Sequence, residues 1–490
     1  MTYNSSNRVT DFGGWSAHWS RRDVYDQSLS TAIGAAAMLL CATIYFALHR
    51  HLWFFDLLGR EPNIKVNLWF LVALFLLVII YRLPQRRSAR SWAFTRTGAA
   101  FLGALALYAG LGGVSVFLNE PGLDEVQSFL FYLYTPMLVM VSMLVLHPSD
   151  RAIRRTLVAL LVVALALSAY STILHIRTWS GQDITALYPN AAQSDPLFLA
   201  RKSVPGLGSN QFPSMLAPMV LTGLYFALKG NKRYQLAAVA ATAFIVFNML
   251  IVASRGAILS LAVGLLYLGL RRWFRFNFKL VLTGAVLAAV VAVYGDFVIQ
   301  RFEQSVVVQG LRQGVNSSAT TRADGYDDRL MVSLDSLVFY FGEHPFVGAG
   351  FTNHRTSQGP RISGTDHNLY TQLLAEGGLF VGGPFALILF LIYRNAARML
   401  RWCRRDPEAA ALGTVLVAGF VAFLVNMNFT TGFLHYFALW WGLLVAWTRN
   451  AHIRQLTTRE RVPVRARRVS ASAAVLRPIG VGAPHGEAHV

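Results

Sequence analysis

The sequence predicts an all-α polytopic membrane protein of about twelve transmembrane helices, with both ends in the cytoplasm and one large outer loop. Three observations predict it. Of 490 residues, 54% are hydrophobic and only 14% charged, where soluble domains carry roughly 25% charged residues. The apolar residues gather into runs that approach the roughly 20 needed to cross the hydrocarbon of a bilayer. Basic residues collect in alternate short loops, as cytoplasmic connections do.

The predicted spans run from Ser30 to Leu48, Leu68 to Tyr81, Gly98 to Leu118, Ser128 to Leu146, Leu157 to Leu174 and Gln211 to Leu228. They continue from Leu236 to Ala253, Ala257 to Leu270, Leu280 to Val298, Leu369 to Tyr393, Leu412 to Met427 and Phe433 to Trp447. The second, eighth and twelfth are short, and each is accepted on its flanking charged or aromatic residues. The polar stretch up to Gln27 makes the first run an uncleaved signal anchor. The chain thus divides into a cytoplasmic segment 1–28, nine spans over 29–299 with an outer segment at about 175–210, and a large outer loop at 300–367. Three further spans occupy 368–448, and a basic, disordered cytoplasmic tail 449–490. Within the large loop, Leu330 to Phe341 is apolar enough to form a helix near the interface.

With the N-terminus inside, the cytoplasmic connections contain Arg82, Arg86, Arg87, Arg90 and Arg96, then Arg151, Arg154 and Arg155. Lys229, Lys232 and Arg233 follow, then Arg271, Arg272, Arg275 and Lys279, and Arg394, Arg398, Arg401, Arg404 and Arg405. Outer connections are acidic or mixed, as at Glu120, Asp124 and Glu125. The net charge of +20 is therefore a topology signal and an attraction to anionic membrane lipids. No basic groove interleaved with aromatics supports nucleic-acid binding. Cys41 and Cys403 are too few for a disulfide framework or a metal cluster.

Three outer places concentrate polar residues. Arg255, in Ser254-Arg-Gly256, interrupts two apolar runs, and an arginine at membrane depth needs a partner or a task; snorkelling to the headgroups is the plain alternative. Arg201 and Lys202 precede Ser203-Val-Pro-Gly-Leu-Gly-Ser-Asn210 and a helix start. Adjacent cations before a helix N-terminus suit an anion such as phosphate, although glycine-rich connectors are also ordinary loops. His367, between Asp366 and Asn368 and nine residues before Glu376, can act as a base near neutral pH, or merely cap a helix. Two cationic sites and one base suit a diphosphate leaving group and a hydroxyl to be deprotonated. No P-loop signature is present, so the activated donor is expected to be a lipid.

Ser254-Arg255-Gly256-Ala257, Asp328-Arg329-Leu330, His344-Pro-Phe-Val-Gly-Ala-Gly350, and His367-Asn368 with Glu376 and Gly378 resemble the O-antigen ligase and polymerase superfamily. The likeness covers roughly Arg201 to Gly383. One departure is Val381, where the family usually has a small residue; Gly382 and Gly383 follow it. The resemblance implies a GT-C-like membrane glycosyltransferase of the bacterial inner membrane with a periplasmic active site. It would use an undecaprenyl-diphosphate-linked glycan as donor and a lipid A–core sugar hydroxyl as acceptor. It implies His367 as general base, Arg201 and Arg255 on the donor diphosphate, and no metal or other cofactor, with inversion at the anomeric carbon. Lys202, Arg329, Asn368 and Glu376 are possible supporting residues. A polymerase of the same superfamily, using lipid-diphosphate glycans as both donor and acceptor, fits the same residues; the large loop before His367 favours the ligase. Asp324, Asp327 and Asp328 offer a metal site as a different reading, which Arg322 and Arg329 counter by neutralising the carboxylates. A lipid-linked glycan flippase or transporter would need polar residues along a path open to both sides, whereas these cluster on one.

Overall fold

The computed structural model describes residues 96–119, 126, 135–146, 148–180, 211–252, 254–271, 338, 342, 344–350, 368–429 and 437–455. Among them there is no strand. Helix α1 spans Arg96–Leu118, α2 Thr135–Leu146, α3 Asp150–Trp179 and α4 Gln211–Lys229. A 3-10 turn at Lys232–Tyr234 leads into α5, Gln235–Val252, and then α6, Arg255–Leu270. Helix α7 spans Leu369–Trp402 and α8 spans Pro407–Asn426; α9 covers 437–455. Six of these helices are long and apolar enough to cross a membrane, and α6 is a shorter apolar one. The expected first, second and ninth spans, and nearly all of the expected helix from Leu330 to Phe341, lie outside the described residues.

Local chemistry sets the helix ends. Asp406 caps α8 by accepting from the Ala409 N–H at 3.1 Å, with Pro407 in the first turn, where its missing N–H costs nothing. Ser149 Oγ accepts from the Ala152 N–H at the start of α3, and Asp150 and Arg177 sit at the ends of α3 that the helix dipole favours. Helix α3 outruns its predicted end at Leu174 by five residues. His175 is buried within it, and its Nδ1 donates to the Ser171 carbonyl at 2.8 Å.

Helices α4 and α8 lie deepest, while α1 and α3 turn most of their surface outward. Helix α4 packs on α5, α6 and α8; α6 packs on α8, and α1 on α7. Close approach needs small residues at the crossings. A Cβ on Gly413 or Gly419 of α8 would overlap the rings of Trp447 and Trp440. Those indoles donate to the Ala409 and Leu416 carbonyls, at 3.1 Å and 2.8 Å, so large aromatics are buried with their polar atoms satisfied.

One end of the bundle is basic. Arg154 pairs with Glu408 at 2.9 Å and Arg454 with Asp150 at 2.7 Å, joining the starts of α3 and α8 to the end of α9. Helix α9 continues to residue 455, past the expected span boundary at 448. Arg449 is 1% exposed and donates to the Leu144 carbonyl, and Asn450 donates to the Pro148 carbonyl and to Asp150 Oδ1. The expected tail residues 449–455 are thus part of the packed helix, because these side chains satisfy the chain end of α2 and the first turn of α3. Cys403 is buried at the same end. Burial pushes its thiol above the usual value, with the nearby Arg454 opposing. Asn368 and the start of α6 lie at the opposite end, about 30 Å away along the 20 residues of α8.

Candidate functional site

The site is built around the turn that ends α8. Helix α8 stops in Met427, whose N–H bonds the Phe423 carbonyl, and the Phe429 N–H closes onto the Asn426 carbonyl at 2.8 Å. Three neighbours reach this turn. Leu369, the first residue of α7, donates its N–H to the Met427 carbonyl at 2.8 Å. Tyr370 adds its hydroxyl to the Leu424 carbonyl at 2.9 Å. Gly256, in the first turn of α6, lies so close to Phe429 that a Cβ there would sit 2.5 Å from the Phe429 Cβ. From α4, Ser214 Oγ donates to Asn426 Oδ1 at 2.7 Å while Asn426 Nδ2 returns a bond to the Ser214 carbonyl, and both residues are buried.

The N-termini of α4, α6 and α7 therefore meet at one turn. Each helix start contributes partial positive charge through its dipole, although the first N–H groups of α7 are taken by Met427 and Asn368. Ser254, at the cap position of α6, is buried and makes no side-chain cap bond. Asn368 does cap: its Oδ1 accepts from the Tyr370 and Thr371 N–H groups at 2.9 Å and 3.4 Å. That fixes the entry of the chain into α7, directly after His367.

A second feature supports this end. Helix α7 is broken at Gly378, which takes φ 58° and ψ −157°. The turn 344–350 fills the break. Ala349 and Gly350 donate to the Ala375 and Glu376 carbonyls at 2.9 Å and 3.0 Å, and the Leu379 and Phe380 N–H groups go to the Pro345 and Phe346 carbonyls at 2.9 Å each. Every one of these backbone groups would be costly if left unpaired in an apolar interior. Gly348 and Gly350 have positive φ, and a Cβ on Gly348 would overlap the Glu376 backbone. Ser115 of α1 donates to the Val347 carbonyl at 2.6 Å and holds the turn from the other side. Glu376 is buried and accepts from Gln372 Nε2 at 3.0 Å. Val381 is fully buried and packs over Gly377, so the departure at this position is absorbed by the glycine beside it.

Of the residues singled out from sequence, Asn368 and Glu376 are described, together with the backbone of Arg255. The start of α6 and the cap of α7 come to one turn, while Glu376 lies beside the break, where the motif His344–Gly350 meets Gly378. His367, Arg201, Lys202, Arg329 and the aspartates 324, 327 and 328 lie outside the described residues. Sequence reasoning passed over Ser214, Asn426, Phe429 and Ser115, which hold these pieces together. It also passed over Asn248, whose Nδ2 ties α5 to the Ser168 carbonyl and Thr172 Oγ1 of α3 at 2.8 Å and 2.9 Å, four residues before the end of α5. For Ser115, Ser214, Asn248 and Asn426 the available signal was the same: a lone amide or hydroxyl inside an apolar run, which must find a partner within the protein; Phe429 carried no such signal.

Compared with known protein families, residues 237–386 match the family described as O-antigen ligase. The match includes Ser254–Gly256, the turn 344–350, Asn368, Glu376 and Gly378, and excludes Arg201. No curated protein matches the chain.

Proposed function

We infer, from a chain whose residues 237–386 support membership of the O-antigen ligase/polymerase family, that it is a glycosyltransferase of the ligase branch. It moves a glycan from undecaprenyl diphosphate to a sugar hydroxyl of lipid A–core, on the periplasmic face of the bacterial inner membrane, with both termini in the cytoplasm. The observation that carries the reading is the meeting of the α6 start, with Arg255, and the α7 cap, next to His367, at the turn 426–429. A base and a diphosphate-binding cation are needed within one substrate's reach, and the reading is supported by the neighbours of each in sequence, Gly256 and Asn368–Leu369, coming to one turn.

In this reading His367 takes the proton from the acceptor hydroxyl as its oxygen attacks the anomeric carbon. The bond from that carbon to the diphosphate oxygen breaks on the opposite face, with inversion. Arg255 and Arg201, with Lys202 beside it, hold the leaving diphosphate, and the helix N-termini add to the same field. Asn368 orients the backbone that carries the base, and Arg329 and Glu376 support the site. A diphosphate is a good leaving group, so positioned cations and proximity supply the catalysis without a metal.

The test uses purified protein with the lipid-diphosphate glycan, with and without lipid A–core. Transfer only when the core is present supports the ligase; ladder growth without it makes the protein a polymerase. His367→Ala abolishes transfer and leaves donor binding intact, and wild-type transfer by that variant refutes the base. Activity lost in chelator and restored by added metal overturns the metal-free step.

A further inference from the structure

At the basic end of the bundle every carboxylate among the described residues is already engaged. Asp150 holds Arg454 and Asn450, Glu408 holds Arg154, and Asp406 caps α8. Helix α7 reaches the same end with cations and no acid to meet them. Arg394, Arg398 and Arg401 are exposed and recur at intervals of four and three residues, so they stand one above another on a single face of the helix. Among the described residues none of the three pairs with a carboxylate. The stripe covers about 10 Å along the helix axis.

Towards the middle of α7 the same face becomes apolar. Phe390 and Leu387, four and seven residues before Arg394, are exposed, and a Cβ on Gly383 would meet nothing within 4 Å. The Arg394 guanidinium lies over the Phe390 ring, 5.5 Å from its centroid, which fixes one cation at the border between the two halves. Side chains on a helix lean towards its N-terminus. Arg398 and Arg401 therefore reach back towards that border rather than away into water.

We propose that this face of α7 binds an anionic phospholipid bearing two phosphates, a diphosphatidylglycerol. Its acyl chains lie along Gly383, Leu387 and Phe390, and its phosphates meet Arg394, Arg398 and Arg401. A guanidinium takes two oxygens of a phosphate in one fork, and a single phosphodiester neutralises only one of three clustered cations. Two phosphates joined through one glycerol answer the stripe with a single headgroup. Scattered snorkelling arginines would be served equally by any anionic headgroup. Clustering on one face, with the acids of this end committed elsewhere, is what favours the doubled charge. The assignment is independent of the glycosyltransferase reading, since these residues lie at the end of the bundle away from the turn 426–429.

The test reconstitutes the full chain in phosphatidylcholine nanodiscs that carry phosphatidylglycerol and diphosphatidylglycerol at equal phosphate content. Lipid retained after release into mild detergent is then weighed by native mass spectrometry. The unaltered protein should retain the two-phosphate lipid about tenfold over phosphatidylglycerol; equal retention overturns the proposal. The triple variant Arg394→Gln/Arg398→Gln/Arg401→Gln should lose that preference. A second triple variant, Arg151→Gln/Arg155→Gln/Lys232→Gln, removes the same charge from other exposed positions at this end and should keep it. Loss of the preference in both variants, or in neither, overturns the proposal. Excess inorganic phosphate should leave the retained lipid in place; its displacement would mark a site for a soluble anion and overturn the lipid assignment.

Discussion

Replacing Gly378 by alanine sets a backbone conformation against a residue that cannot adopt it without strain. At φ 58° and ψ −157° the position belongs almost solely to glycine, and a residue with a side chain pays about 1–3 kcal/mol there. The new Cβ would also run into the Phe346 carbonyl and the Gly348 nitrogen. The turn 344–350 must then withdraw, and four backbone bonds between it and residues 375–380 are lost. At about 1 kcal/mol net each, with the strain added, the loss comes to roughly 5–7 kcal/mol. Helix α7 can recover part of this by closing into a continuous helix, but only by releasing the turn. Thermal unfolding of the purified protein in detergent should therefore show a markedly lower melting temperature. Chymotrypsin should cut faster at the exposed Phe346. Gly103→Ala is the control: nothing lies within 4 Å of a Cβ there, so the change should stabilise α1 by up to about 1 kcal/mol. An unchanged melting temperature and cleavage rate for Gly378→Ala would refute the argument that this glycine keeps the helix open for the turn.

Three further outcomes follow from the same structure. Gly256→Ala should impair transfer because its Cβ meets the Cβ and ring of Phe429, and the second change Phe429→Gly, which removes both, should restore much of the activity; a double variant no better than the single one would mean that the contact does not set the α6 start. Arg449→Met leaves the buried Leu144 carbonyl without its donor, at a cost of about 1–3 kcal/mol that denaturant or thermal unfolding reads directly, with an unchanged midpoint counting against the contact. Burial favours the neutral thiol of Cys403 in the fold. Its contribution to stability is complete below the ordinary thiol value of about 8.5 and fades as pH rises through the raised value. Cys403→Ala should remove that alkaline loss from a profile of melting temperature against pH, and an unaltered profile would show that the thiol does not titrate there.

Much of the helical layout was legible because membrane spans obey a one-dimensional rule. The expected ends of the sixth, seventh and eighth spans lie within two residues of α4, α5 and α6, since an apolar run bounded by charge can hardly end elsewhere. Where the sequence misjudged an end, a polar side chain had found a private partner. His175 extends α3 by bonding to its own helix, and Arg449, Asn450 and Arg454 extend α9 by bonding to the starts and ends of its neighbours. Hydropathy counts such residues as solvent-seeking and cannot see the carbonyl or carboxylate that awaits them.

The sequence alone determined a helical membrane chain, the set of unusual polar residues along it, and the glycine motif at 344–350 as something to be explained. Tertiary structure decided how the described ones among them are held. It used the glycines of that motif, with Gly378, to open α7 and to exchange backbone bonds across about thirty residues of chain. It also joined the start of α6 and the cap of α7 through a turn, 426–429, that no motif marked. The physical reason is common to both: in an apolar interior each freed backbone group must find a partner, and distance along the chain does not reveal which group in space will supply it.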